Sequence, residues 1–157
     1  MAIARVILDW VREYGIKSLV NAPCAGSDCD VFKDNGVVET LGVNIIDMAP
    51  NVCSAFIKAD LCVWRPEKEY DAVYINCIFC TNNDSPTGNH RTLAENYTSW
   101  PVKYIIVYDT CINPFDWAVI FRERGWECIK LSRQSGVPYR LEDATWETRC
   151  EVWKHAA

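Results

Sequence analysis

The sequence is poor in the features that would assign it quickly, and each shortage excludes something. Its longest apolar runs, such as YIIVY at 104–108, are about a quarter of the length a bilayer helix needs. The amino-terminal segment carries Asp9 and Glu13 inside an amphipathic pattern, so neither a membrane span nor a secretion signal is expected and the chain reads as cytoplasmic. No run of Lys and Arg occurs, and acids outnumber bases by 21 to 16 for a net charge of −5. Phosphate backbones are bound mainly by such bases, so autonomous nucleic-acid binding is disfavoured. No low-complexity segment is present, and a composition 50% hydrophobic and 24% charged excludes a disordered or fibrous chain. There is no G-x-G-x-x-G, which removes a nicotinamide-dependent dehydrogenase. Histidines number only two. The one C-x-x-C, Cys77 and Cys80, has His90 and Cys111 to draw on but no second pair, so no metal site is expected.

What is abundant is cysteine, with nine in 157 residues. Without a secretion signal these are expected to stay thiols and pack as small apolar groups, as Cys77, Cys128 and Cys150 inside apolar stretches suggest. The length fits one domain spanning 1–157, large enough to bury roughly 70% of its unfolded surface.

Along the chain, Ile3, Ile7, Trp10, Val11 and Tyr14 fall at spacings of three and four, the stripe of an amphipathic helix over 3–14 that Gly15 ends. KSLVNAPC makes a first strand, DCDVFKDN a short helix closed by Gly36, and VVETLGVNI a second strand. Pro50 opens a helical turn through Ala55, FIKAD (56–60) is a short third strand, and YDAVYINCIF (70–79) a longer fourth. CTNNDSPTGN (80–89) is loop by composition, HRTLAENYTSW a helix, and VKYIIVYD (102–109) a strand covered on both faces. NPFDWAVIFRERGW reads as a helix with Pro114 just inside its start, ECIKLSR as a sixth strand, and QSGVPYRLEDATW as loop. The final ETRCEVWKH alternates with the period of two expected of a half-covered edge or antiparallel strand. This order predicts an α/β fold: a three-layer, doubly wound sandwich whose seven-stranded sheet is mostly parallel with one antiparallel strand near an edge.

In such sheets a ligand lies across the carboxyl ends of the strands, where backbone must approach it closely. The turn after the first strand, Pro23, Cys24, Ala25, Gly26 and Ser27, has no bulky side chain. With that layout the chain resembles the class I S-adenosylmethionine-dependent methyltransferases, over nearly its whole length and by order and spacing more than by strict motif. Their first strand ends in an acid and a glycine-rich turn. The matching LVNAPCAGS has Asn21 in the acidic place and Pro23, Ala25 and Ser27 where glycines are usual, closest to members with a Pro-Cys-Gly turn.

The resemblance implies S-adenosylmethionine as cofactor, held by Asn21, Pro23, Cys24, Ala25 and Gly26. It puts Asn44 where the family's second strand carries an acid for the ribose hydroxyls. Asn is the poorer bidentate acceptor, so either Asp47 takes over or affinity is reduced; Asp47 reads equally well as a helix cap. Asp60 matches the acid that accepts from the adenine amino group, while Asp71 reads as structural. Asn76 and Phe79 keep the first and last places of the (Asp/Asn)-Pro-Pro-aromatic turn that grips a planar amine, with both prolines missing. Cys77 between them is a packed thiol at the pocket wall, where it counts with the cofactor-binding residues, or, given a nearby cation, a nucleophile. His90 is the better placed of the two histidines for a general base and is otherwise a solvated loop residue. Tyr108, Asp109, Tyr139, Arg140 and Trp146 are further candidates to line an acceptor pocket.

Two functions follow. One is methyl transfer to nitrogen or oxygen of an acceptor, small molecule or protein, with no membrane involved and a homo-oligomer or partner subunit completing the site. The other is an inactive scaffold of the same fold working through protein contacts, to which Asn21, Pro23, Ala25 and Asn44 all point.

Overall fold

The computed structural model describes residues 3–24, 28–45, 55–76, 78–79, 90–110, 116–135 and 147–156. Their elements are α1 (Arg5–Glu13), β1 (Ser18–Asn21), α2 (Asp28–Asp34), β2 (Glu39–Asn44), β3 (Phe56–Lys58), β4 (Tyr70–Asn76), α3 (His90–Tyr97), β5 (Val102–Thr110), α4 (Trp117–Glu123), β6 (Trp126–Ser135) and β7 (Glu147–His155). The strands form one seven-stranded sheet in the order β3-β2-β1-β4-β5-β7-β6. The β1/β2, β1/β4, β2/β3 and β4/β5 pairs are parallel and β7 is antiparallel to both neighbours. This is the expected doubly wound arrangement. Chain order reverses between β1 and β4, so the topological switch point of the sheet lies at the carboxyl ends of these strands, at Asn21 and Asn76.

Two cores flank the sheet. On one face Ile7, Trp10 and Val11 of α1 and Phe32 of α2 pack on Leu19, Ala72, Tyr74, Ile106 and Val152. On the other, Leu93, Ala94 and Tyr97 of α3 and Trp117, Ile120 and Phe121 of α4 cover Val20, Val43, Val73, Ile75, Ile105, Val107 and Trp153. Each such side chain removed from water contributes about 1.5–3 kcal/mol. The apolar runs of β4 and β5 thus reflect cover on both sides. Gly15 (φ 61°) and Gly36 (φ 97°) stop α1 and α2 in the left-handed region, each followed by a residue whose N–H reaches back to the helix: Ile16 to Val11 O (3.0 Å) and Val37 to Phe32 O (3.1 Å).

Four expectations need correction. Helix α4 starts at Trp117, capped by the Asp116 side chain accepting from Ala118 N at 3.0 Å, so Pro114 precedes the helix rather than opening it. β3 ends at Lys58, leaving Asp60 in the following turn. β7 is the expected antiparallel strand next to the edge, but it is not half-covered: Cys150, Glu151, Val152 and Trp153 are all buried, and β6 is the edge. Its charged positions imitate a solvated face because Arg149 and Glu151 neutralise each other internally. Lastly, Cys29 is disulfide-bonded, whereas Cys24, Cys62, Cys128 and Cys150 keep their thiols outside any disulfide. The Pro50 turn, loop 80–89 and most of the loop before β7 lie outside the described residues. No described helix is long and apolar enough to cross a membrane.

Candidate functional site

The turn leaving β1 is stitched to strands on both sides. Ala22 N donates to Tyr74 O of β4 (3.0 Å) and Cys24 N to Val43 O of β2 (2.8 Å). Pro23, joined through a cis peptide, sits between these two donors, where it has no N–H to satisfy. The buried Tyr97 hydroxyl donates to Ala22 O at 2.7 Å, pinning the turn to α3. Cys24 is fully buried, and burial, with the Asp28 charge adding to it, pushes its thiol up to about 11. At that value the sulfur is a packing group, not a nucleophile.

Asn21 and Asn76 end adjacent parallel strands, with Asn21 in register with Tyr74, two residues before Asn76. Both side chains face α2. Asn21 Nδ2 lies 3.9 Å from the sulfurs of Cys24 and Cys29, and Asn76 Nδ2 donates to Asp28 Oδ2 at 3.3 Å. Yet Asn21 Oδ1 and Asn76 Oδ1 are buried with no hydrogen-bond partner. Buried polar atoms are nearly always paired, so these two oxygens leave hydrogen-bonding capacity unused at the switch point. Asp28, 1% exposed, completes the cluster; burial raises its pKa against the lowering effect of the Asn76 bond.

Towards β2 and β3, Asn44 Nδ2 donates to Cys24 O (2.8 Å) and its Oδ1 accepts from Ile45 N (2.7 Å), clasping the β1 turn to the end of β2. Asp60, half-buried, accepts from Cys62 N at 2.9 Å and opens a tight turn in which Trp64 N reaches Asp60 O at 2.8 Å. Asn96 of α3 holds that turn by donating to Leu61 O and Trp64 O, both at 2.7 Å.

Beyond β4, Phe79 N donates to the buried Asp109 carboxylate at 2.8 Å. The Phe79 ring is fully buried, stacked on Trp117 (5.4 Å, 15°) and edge-on to Tyr97 and His90. It fixes the turn by packing; its face is covered by protein rings and not offered to an acceptor. His90 is half-buried at the start of α3.

The structure thus gathers Asn21, Pro23, Cys24, Asn44, Asp60, Asn76, Phe79 and His90 at the carboxyl edge. Ala25, Gly26, Asp47 and Cys77, like Tyr139, Arg140 and Trp146, lie outside the described residues. Sequence reasoning missed Asp28, whose one signal is an acid opening a helix after a turn of small residues. It missed Tyr97 too. Two shallow clefts of about 360 Å³ lie elsewhere, at the opposite edge by Asp71 and Lys103 and along α1 by Arg5 and Asp9. Among the described residues, the switch point at the ends of β1 and β4 is preferred to either as the candidate site because two buried oxygens without a hydrogen-bond partner meet there. Among the described residues no cluster of three metal-ligating side chains exists.

No family model and no curated protein matches the chain. Solved structures do. It superposes on magnesium protoporphyrin IX methyltransferase from Synechocystis PCC 6803 with bound S-adenosylmethionine at a TM-score of 0.71 and 13% identity, covering 96% of this chain and 77% of that one. The N-methyltransferase NodS from Bradyrhizobium japonicum, in complex with S-adenosyl-L-homocysteine, is matched at 0.62 and 7% identity, over 98% and 87%. An rRNA methylase from Escherichia coli is matched at 0.61 and 11%, over 96% of this chain and 64% of that one. The chain therefore has the fold of the class I S-adenosylmethionine-dependent methyltransferases.

Proposed function

We propose that this chain binds S-adenosylmethionine across the carboxyl edge of its sheet and transfers the methyl group to nitrogen or oxygen of an acceptor. The observation that carries the reading is the pair of buried, partnerless oxygens on Asn21 and Asn76 at the point where strand order reverses. When bound, the cofactor would supply a methyl group on a sulfonium, already a good leaving group, so the protein's task is alignment more than acid–base work. The β1 turn from Asn21 through Pro23 and Cys24, continuing into Ala25 and Gly26, would hold the amino-acid portion. Asn44, with Asp47, would hold the ribose, and Asp60 the adenine amino group. On the acceptor side Asn76 offers a carboxamide oxygen to an acceptor N–H or O–H, His90 stands at the mouth for a proton, and Phe79 keeps the turn in place from below.

The second reading, an inactive scaffold, draws on Asn44. Both ends of its amide are engaged by the protein's own backbone, and an amide holds ribose hydroxyls less well than a carboxylate.

Thermal denaturation with S-adenosylhomocysteine separates the two. A ligand at one hundred times its dissociation constant adds about 2.7 kcal/mol, a rise of roughly 5–10 °C for a chain of this size. Asp60→Asn keeps the acceptor for Cys62 N while removing a carboxylate oxygen from the adenine, so it should weaken binding by about 1–3 kcal/mol without unfolding the turn. No shift at millimolar ligand leaves the scaffold.

A further inference from the structure

Two neighbouring residues of α3 hold two different turns at the carboxyl edge of the sheet. Successive residues of a helix point about 100° apart, so Asn96 and Tyr97 reach in different directions. Both hydrogens of the Asn96 amide go to the turn after β3, at Leu61 O and Trp64 O, 2.7 Å each. The Tyr97 hydroxyl crosses to the turn after β1 and donates to Ala22 O at 2.7 Å, 75 positions away in the chain. Burial first, then the neighbouring Cys62 and Asp109, push that phenol well above its ordinary value, so it stays a neutral donor. The strands that lead into the two turns stand two places apart in the sheet, with β2 between them, a gap of about 10 Å. Thr98, the next residue, faces elsewhere: among the described residues its hydroxyl accepts from Arg124 Nε at 2.6 Å and donates back to Ala94 O at 2.9 Å.

We propose that Asn96 and Tyr97 are positioning residues that make α3 the spacer between these two turns, fixing the separation that a nucleoside must match at its two ends. The assignment rests on the reading under Proposed function, in which the turn after β3 takes the adenine and the turn after β1 the amino-acid portion. Neither residue need touch the ligand. Each holds backbone in place, and a shift of about 1 Å in such a support is enough to spoil the contacts built on it. Because the two donors sit side by side on one helix, a movement of α3 displaces both turns together.

Calorimetric titration with adenosine, which reaches one turn, and with S-adenosylhomocysteine, which reaches both, tests it. Tyr97→Phe keeps the ring and removes the bond to Ala22 O. It should weaken S-adenosylhomocysteine by about fivefold or more and leave adenosine within about twofold. Asn96→Ala frees the other turn and should weaken both ligands by about fivefold or more. Thr98→Val, on the same helix, should lower the melting temperature yet leave both affinities within about twofold, which separates positioning from a general loosening of α3. If Tyr97→Phe weakens both ligands equally or neither, or if Thr98→Val reproduces its pattern, α3 is not the spacer while the cofactor reading stands. Failure of wild type to bind either ligand removes both. Far-ultraviolet circular dichroism checks that each variant is folded. Should Tyr97→Phe not fold, Asn96→Ala decides alone, and binding of either ligand as tightly as wild type overturns the assignment.

Discussion

The same two strands, β1 and β4, end in opposite ways. At their amino ends Asp71, Ser18 and the Lys17 amide pair with one another. Asp71 accepts from Lys17 N (2.8 Å) and Ser18 N (3.2 Å), the Ser18 hydroxyl accepts from Asp71 N (2.9 Å), and Lys103 stands 3.5 Å away. Those backbone donors and the lysine outweigh the effect of burial and hold Asp71 below the ordinary carboxylate range. At their carboxyl ends Asn21 and Asn76 each bury an oxygen with no partner, and burial pushes Asp28 above that range. One aspartate is a clamp that folding completes; the other is a group that folding leaves short. On the reading proposed above, stability is given up where a ligand would come, which is how a binding site would differ from a structural strand end within one sheet.

The contrast would mean little if the whole carboxyl half were poorly satisfied, and Glu151 shows that it is not. This carboxylate, 1% exposed on β7, accepts from Trp117 Nε1 (2.7 Å), Trp153 Nε1 (3.0 Å) and Arg149 Nε (3.0 Å), while the Arg149 guanidinium lies 4.6 Å from the Trp117 ring centre. Removing one partner of a buried charge pair costs about 3–5 kcal/mol. Glu151→Ala should accordingly lower the melting temperature by roughly 10 °C or more, the largest effect expected of any single change here. Glu151→Gln, which keeps an acceptor for both indoles, should lose distinctly less. A mild Glu151→Ala phenotype in calorimetry would make the carboxyl half uniformly slack and dissolve the comparison.

A middle-sized effect is expected at Asp71. Asp71→Ala strands the Lys17 and Ser18 amides and should cost about 1–3 kcal/mol near neutral pH, with ligand affinity unchanged. Because the folded-state pKa of Asp71 is depressed, its contribution is complete above the unfolded value and is lost as pH falls through the folded value. Denaturant titrations of wild type and variant should therefore differ at pH 7 and converge at acid pH below the usual carboxylate range. For Asp28 the sign is reversed. Its raised folded value means that stability declines as pH climbs from the ordinary carboxylate value through the folded one, and Asp28→Asn should flatten that decline.

The sheet was legible because its evidence is local: apolar runs for β4 and β5, and stripes closed by Gly15 and Gly36 for α1 and α2. The carboxyl edge was legible through the resemblance, which puts Asn21, Asn44 and Asn76 where β1, β2 and β4 end, while Asp60 falls past the end of β3. What the residues face was not. Asp28 meets Asn76 across 48 positions of chain, and Trp117 meets Glu151 across 34. An alternation of Arg149, Glu151 and Trp153 looks like a solvated face until the charges are seen to cancel inside the protein. Phe79 has the residue type of a stacking ring, yet Trp117 takes its face. The Pro114 helix start failed for a related reason: the Asp116 side chain competes for the same role and has the donor at Ala118 to win it.

The smallest effect bears most directly on the contrast between the two ends. Asn21→Leu replaces a carboxamide by a group of similar branching and removes the buried oxygen that has no partner, together with an amide whose contacts among the described residues are two sulfurs at 3.9 Å. Leaving a polar group desolvated costs about 1–3 kcal/mol on protein scales, part of which the two weak sulfur contacts offset. The variant should thus be more stable than wild type by about 1 kcal/mol, a rise of roughly 2–4 °C, while binding S-adenosylhomocysteine more weakly. Gain of stability with loss of affinity is the mark of a residue kept for a ligand. A loss of stability in the variant would mean that Asn21 is already satisfied by the protein, and the two ends of β1 and β4 would then differ in sequence but not in kind.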